Sequence, residues 1–184
     1  MTFNTFFTRF RLRPALLFGL ALLCAAPADA GEFRYNSSTN SIEMTGKILA
    51  GDWRTFSALL RAHPQTENVE LLGSVGGEYQ SSLRMSLEVK KRGLNTVAAN
   101  YCHSGCAYIW LAGATRSVVG SEAPKIHLPY ANATGEVYPK LTYDWLEALG
   151  LPSSFADAVV HAVGPDNQFV KLTPGFLTRF GAAG

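Results

Sequence analysis

Apolar and polar residues alternate along Ser41-Ile42-Glu43-Met44-Thr45, the two-residue period of a strand with one face in a core. The period then changes. Trp53, Phe56 and Leu60 recur at helical spacing and predict a helix from Asp52, its capping residue, to about Arg61. Val69 to Leu72 reads as a second strand, running into the loop Ser74-Val75-Gly76-Gly77. Tyr79, Leu83 and Leu87 fall at i, i+4 and i+8, which predicts a helix over 78–92 with its apolar stripe on those residues and Gly93 as its C-terminal cap. Thr96 to Ala99 is a third strand, Cys102 to Cys106 a turn, and Gly105 to Leu111 an apolar helix. Short extended pieces are expected at Arg116 to Val119 and Lys125 to Leu128. Helices are expected over Thr142 to Leu149, Ser153 to Val163 and from Pro174 to Phe180. Strands alternating with helices predict an α/β domain built on a largely parallel sheet.

The first thirty residues follow a different pattern. Arg9, Arg11 and Arg13 precede an apolar run from Ala15 to Ala26, and the triplet Ala28-Asp29-Ala30 follows. A basic start, a short apolar core and a small-x-small site make a secretory signal with cleavage after Ala30. The apolar run is too short for a permanent span, which needs ~20 residues. The expected mature chain, residues 31–184, has about the length of one domain. It is expected to be a soluble protein of the periplasm or the exterior. The formal charge of +2 belongs to the whole chain. It falls to near zero once the three arginines and Asp29 leave, which removes the basic footprint of a nucleic-acid binder.

Two strand-to-helix loops carry the candidate chemistry. In Ser74-Val75-Gly76-Gly77 the paired glycines allow backbone N–H groups to turn toward a ligand, or they serve only a tight turn. In Asn100-Tyr101-Cys102-His103-Ser104-Gly105-Cys106, a serine at the mouth of a helix has two readings. Ser104 caps the helix, as serines commonly do. Alternatively it presents its hydroxyl above the sheet, with the Gly105 N–H ready for an oxyanion, the logic of a nucleophile elbow. His103 adjoins Ser104 but neighbours on a helix do not face each other, so it is a poor base.

Taken in order, Ser74-Val75-Gly76-Gly77, a helix, a strand, Cys-x-Ser-x-Cys and Ala107 to Ala114 resemble the Clp/crotonase superfamily. Within it the resemblance is to the proteolytic subunits of Clp proteases and their small exported relatives. It covers residues 40–130 well and the C-terminal third poorly. It implies a spiral of β-β-α units and a serine peptidase, with Ser104 as nucleophile and His127, in Lys125-Ile126-His127-Leu128-Pro129, as general base. The oxyanion would lie between the Gly105 N–H and one from Gly76 or Gly77. The orienting acid that the resemblance calls for is Asp166, which fits only with an insertion of a few residues. The chain departs from the pattern at Val75, where proline is usual, and at His103, where a small residue is commoner and a ring threatens to crowd substrate. A homo-oligomer acting on a peptide or protein partner is also implied, with no cofactor.

Cys102 and Cys106 are the two cysteines left after signal cleavage, an even count in an oxidising compartment. A disulfide across this turn would brace Ser104. A metal site of Cys102, His103 and Cys106 lacks the C-x2-C spacing of zinc sites, so no metal is expected. The alternatives to a hydrolase are a binding or assembly module that kept the fold without the chemistry, and acyl-CoA chemistry, which export disfavours.

Overall fold

The computed structural model describes residues 31–183, so the expected signal peptide lies outside the described residues. The central sheet runs in the order β1-β2-β4-β6-β7. Strands β2 (Ser41–Thr45), β4 (Asn68–Leu71), β6 (Asn95–Ala99) and β7 (Arg116–Val119) are parallel, while β1 (Glu32–Asn36) returns antiparallel to β2 at one edge. The mostly parallel α/β sheet expected from the sequence is therefore present. The edge strand β1 is additional. Its alternation is plain in hindsight: Phe33 packs edge-on against Phe56, and Tyr35 stacks on His63 at 3.7 Å. Arg34 and Asn36 hold Glu43 across the β1–β2 pair.

A second, smaller layer crosses the ends of these strands. β3 (Lys47–Ile48) pairs with β5 (Gly76–Gly77), and β8 (Lys125–Ile126) pairs with β9 (Val170–Lys171). Single bridges from Ser74 to Cys102 and from His103 to Lys125 join the two pairs into one ladder. Each turn of the chain thus contributes a long strand, a short strand and a helix, the β-β-α spiral. Two-residue strands carry no readable period, which is why most of this layer was not foreseen.

The helices wrap the main sheet. α1 (Asp52–Ala62) begins after Gly51, and Asp52 does not cap it; its carboxylate accepts the Leu49 N–H instead, at 2.7 Å. α2 (Tyr79–Arg92) is capped by Glu78, whose side chain accepts from Gln80 and Ser81 N–H, and it ends on left-handed Gly93 as expected. Its buried face corrects the expected one. Leu87 is largely exposed, and Ser81, Ser82, Met85, Ser86 and Val89 face the core. Small residues there let α2 lie close against α3 (Gly105–Leu111), and the hydroxyls are satisfied locally. Ser82 and Ser86 donate to the Glu78 and Leu83 carbonyls, and Ser81 accepts from Gly51 N–H. The cost of burying a hydroxyl is thereby met.

α4 (Pro139–Ala148) starts one turn earlier than the expected Thr142, because Pro139 suits a first helical turn. α5 (Ser153–Val163) and α6 (Pro174–Arg179) complete the chain. One core unites the elements. At its centre Trp145 of α4 stacks on Tyr108 of α3 at 3.9 Å and donates its indole N–H to Ser86 at 2.7 Å. Among the described residues no helix is long and apolar enough to cross a membrane.

Candidate functional site

Ser104 occupies the junction between the short-strand ladder and α3. Its backbone is at φ 53°, ψ −124°, a conformation that L-residues rarely adopt and that costs of order 1–3 kcal/mol. Three constraints hold it there. The Ser104 N–H donates to the Lys125 carbonyl at 2.8 Å. Gly76 passes directly beneath, where an added Cβ would stand 2.8 Å from Ser104 Cβ and 2.6 Å from Gly105 N. Cys102 and Cys106 are joined in a disulfide that closes the loop, with Cα atoms 5.2 Å apart and both side chains buried.

This arrangement separates the two readings of Ser104. A capping serine turns its oxygen back onto a helix N–H. Ser104 makes no such bond. Instead the Cys106 and Ala107 N–H groups are taken by the His103 and Ser104 carbonyls, which frees the hydroxyl to face the cavity in front of the helix.

That cavity, about 600 Å³ in volume, is also lined by Gly76, Gly77, Gly105 and His127. Its walls are Tyr108, Trp145, Tyr130 and Phe169. The chain therefore brings Ser104, Gly76, Gly77, Gly105 and His127 together in one cleft, and leaves Asp166 and the cysteines outside its lining. The two glycine amides are not equivalent. Gly76 N–H is engaged by the Ser74 hydroxyl at 3.1 Å. Glu78 N–H donates to the Ile48 carbonyl at 2.9 Å, and Gly77 lines the cleft. Gly77 N lies 3.5 Å from the place where a Cβ on Gly105 would be. Gly77 and Gly105 thus lie side by side at the cleft.

His127 follows β8 directly and is buried. Its Nδ1 lies 2.8 Å from the Leu128 carbonyl, which accepts only, so Nδ1 carries the proton and Nε2 keeps its lone pair. Burial pushes the His127 imidazole below its ordinary value of 6.5, partly opposed by the Leu128 carbonyl, and this favours the neutral, basic form. Phe169 packs edge-on against the ring at 4.7 Å, and Tyr130 lies at 5.4 Å. Among the described residues no hydrogen bond joins Ser104 to His127.

The expected acid is not beside the histidine. Asp166 is exposed and makes no hydrogen bond with the ring. The next residue, Asn167, takes the place instead: its Nδ2 lies 3.4 Å from His127 Nδ1. Asn167 has φ 52°, a left-handed backbone that asparagine tolerates. His103 does not crowd the cleft, because it turns aside to Glu122, which Lys125 also holds. Tyr108, Trp145, Tyr130 and Phe169 had no sequence signal beyond apolar character.

No protein-family model and no curated protein matches the chain. Solved structures do. The membrane-bound stomatin-specific protease 1510-N, as a serine-to-alanine variant, superposes with a TM-score of 0.53 at 13% identity, over 78% of this chain and 75% of that one. Enoyl-CoA hydratase from Thermoplasma volcanium gives 0.52 at 10% identity, over 83% and 69%. The enzyme of that class from Bacillus halodurans gives 0.52 at 14%, over 83% and 71%. The chain therefore has the fold that these proteases and hydratases share.

The disulfide takes up both thiols of the turn around Ser104. Its purpose is legible in its place. Cys102→Ala with Cys106→Ala is expected to lower the melting temperature by ~4–8 °C, the effect of losing ~2 kcal/mol from a short closed loop in a chain of this size. It should also slow reaction at Ser104 by more than that loss of stability explains at 25 °C. Thermal melts and labelling rates on the same samples check this; an unchanged rate would show that the bridge does not position Ser104.

Proposed function

We propose that the chain is an exported serine hydrolase of peptides. Ser104 is the nucleophile, His127 the general base, and the Gly77 and Gly105 N–H groups bind the oxyanion. The observation that carries this reading is the Ser104 hydroxyl, unengaged at a strained turn and lining one cleft with His127, Gly77 and Gly105. In the reaction His127 Nε2 takes the Ser104 proton as the oxygen attacks the carbonyl carbon. The tetrahedral oxyanion is held by the two amides, and His127 returns the proton to the leaving amine. Water, deprotonated by the same nitrogen, then releases the acyl group from Ser104.

A peptide substrate is supported by the stomatin-specific protease, whose lysine-to-alanine variant holds a substrate peptide on the same fold, at a TM-score of 0.52 and 14% identity. The disulfide is of the kind that persists in oxidising compartments, and it supports export of residues 31–184 as a single domain to the periplasm or the exterior. Assembly as a homo-oligomer belongs to the same proposal. A second reading, a binding module without chemistry, is favoured by the missing Ser104–His127 hydrogen bond and the absence of a carboxylate on His127.

A fluorophosphonate probe separates the two. Mature wild-type protein is expected to be labelled, and Ser104→Ala to react at least ~1,000-fold more slowly, as when a nucleophile is removed from a concerted set. No labelling between pH 5 and 9 (about the range in which a neutral histidine can act), with circular dichroism intact, would establish the binding module instead.

A further inference from the structure

The hydrolase reading leaves His127 without its usual carboxylate partner, and the structure shows what stands there. Asn167 grips the main chain of the residue after the histidine at two points. Its Oδ1 accepts the Leu128 N–H at 2.9 Å, and its Nδ2 donates to the Leu128 carbonyl at 3.2 Å. The pairing of an N–H with one end and a carbonyl with the other fixes which end of the amide is which. The gripped carbonyl is the group that accepts the His127 Nδ1 proton, at 2.8 Å.

Because Nδ2 donates, Asn167 cannot accept the imidazole proton itself. Its 3.4 Å approach to Nδ1 is the side of a shared grip on one carbonyl oxygen. That oxygen receives both Nδ1–H and Nδ2–H, and it is aimed at the ring only while the Leu128 peptide is held. The loop carrying Asn167 is built for this. The residue takes a left-handed backbone at φ 52°, its N–H donates to the Gly164 carbonyl, and Gln168 N–H closes on Val163. Two residues on, Phe169 covers the far face of the histidine and also touches His103.

Resting on the hydrolase reading, we infer that Asn167 is the positioning residue of this site, replacing the acid of a Ser-His-Asp triad by clamping the Leu128 carbonyl that sets the His127 tautomer. The third member of the relay is then a neutral main-chain oxygen. It orients the ring and accepts the proton, but offers the imidazolium of the transition state only a dipole rather than a full charge. A histidine so placed stays a base at lower pH than one paired with a carboxylate, and it works more slowly. The other titratable groups around the ring are the Tyr108 and Tyr130 phenols, His103 across Phe169, and exposed Asp166. None of them pairs with the imidazole nitrogens.

Two variants test the inference. Asn167→Gly keeps the left-handed backbone and removes the clamp; Asn167→Asp keeps the shape and the bond from Leu128 N–H, gives up the bond to the Leu128 carbonyl, and brings to Nδ1 a carboxylate that can take that carbonyl's place as acceptor. Fluorophosphonate labelling by Asn167→Gly is expected to be ~10- to 100-fold slower than wild type, part of the 10²–10⁴ that a general base supplies. Its dependence on probe concentration should place the loss in the chemical step, not in binding. Asn167→Asp should restore much of the rate and move the acid limb of the pH profile upward, by about one unit, since a nearby negative charge favours imidazolium. A residue needed only for folding would produce neither the restored rate nor the moved limb.

A second measurement does not depend on turnover. In ¹⁵N-labelled protein, long-range ¹⁵N–¹H correlation is expected to show His127 as the Nδ1–H tautomer in wild type and as a tautomer mixture in Asn167→Gly. Wild-type tautomer and wild-type labelling in Asn167→Gly would overturn the inference. If wild type is not labelled at all, the hydrolase reading fails by itself, and the tautomer comparison still decides whether Asn167 sets the ring.

Discussion

A protein carrying Gly77→Ala is expected to melt ~6–20 °C below wild type and to react with a fluorophosphonate at no more than background rate. The added methyl carbon would stand 2.0 Å from the Ile48 carbonyl oxygen, a main-chain atom of the neighbouring short strand, at a residue whose φ is 150°. Neither neighbour is a flexible side chain that could move aside. Relief requires β3 and β5 to separate, and β5 is the strand that carries the proposed oxyanion donor. The cost is of the order of 3–5 kcal/mol, and for a chain of this size each kcal/mol is worth about 2–4 °C. Gly135→Ala is the control. Gly135 also has a positive φ, 72°, but nothing stands within 4 Å of its added carbon. That variant should lose only the conformational part, about 1 kcal/mol. Paired thermal melts measure the difference, and equal losses would show that the close approach at Gly77 is not what requires glycine.

The second large effect is at Trp145. This side chain is 2% exposed, stacks on Tyr108, meets Tyr79 edge-on and forms the floor of the cleft. Trp145→Ala is expected to destabilise the fold by about 3–5 kcal/mol, the cost of an aromatic-sized cavity in a close-packed core. Trp145→Phe keeps the stack and loses the bond to Ser86, so it should cost about 1–2 kcal/mol. The consequence reaches the chemistry through Tyr108, whose hydroxyl donates to the His127 carbonyl at 3.2 Å and also contacts Thr142 at 3.0 Å. The phenol is driven well above its ordinary range by burial and remains a neutral donor. Denaturant melts give the stabilities; a Trp145→Ala protein as stable as Trp145→Phe would contradict this view of the core.

The main sheet was legible because each long strand or helix carries a period over several residues. Ile42 and Met44 alternate with polar neighbours in β2, and Phe56 and Leu60 mark the inner face of α1. The face of α2 was misread for a physical reason. Close helix packing selects small side chains, and Ser81, Ser82 and Ser86 are polar in sequence but buried in the fold. Gly105 shows how close the approach is at Ser82, since a Cβ there would already stand 2.3 Å from Ser82 Oγ. β1 could have been read from the alternation of Phe33 and Tyr35. The short-strand layer could not, being made of pairs of residues.

The site divides in the same way. Ser104, Gly76, Gly77 and His127 are found together because their local motifs lie at strand ends that the spiral brings to one edge. Asn167 could not be singled out, because its place beside His127 depends on where the chain returns after α5, some 40 residues further on. A carboxylate one residue earlier, Asp166, drew the eye by its chemistry. The geometry of the turn decided between them.

The most direct test of Ser104 as nucleophile is to map the adduct. Trypsin cleaves after Arg92 and Arg116 and releases residues 93–116, a peptide in which Ser104 is the only serine. Mass spectrometry of fluorophosphonate-treated wild type is predicted to place a single phosphonyl group on Ser104, and to find none on that residue after His127→Ala. An adduct on any other residue, or an unmodified peptide from a correctly folded protein, would contradict the assignment.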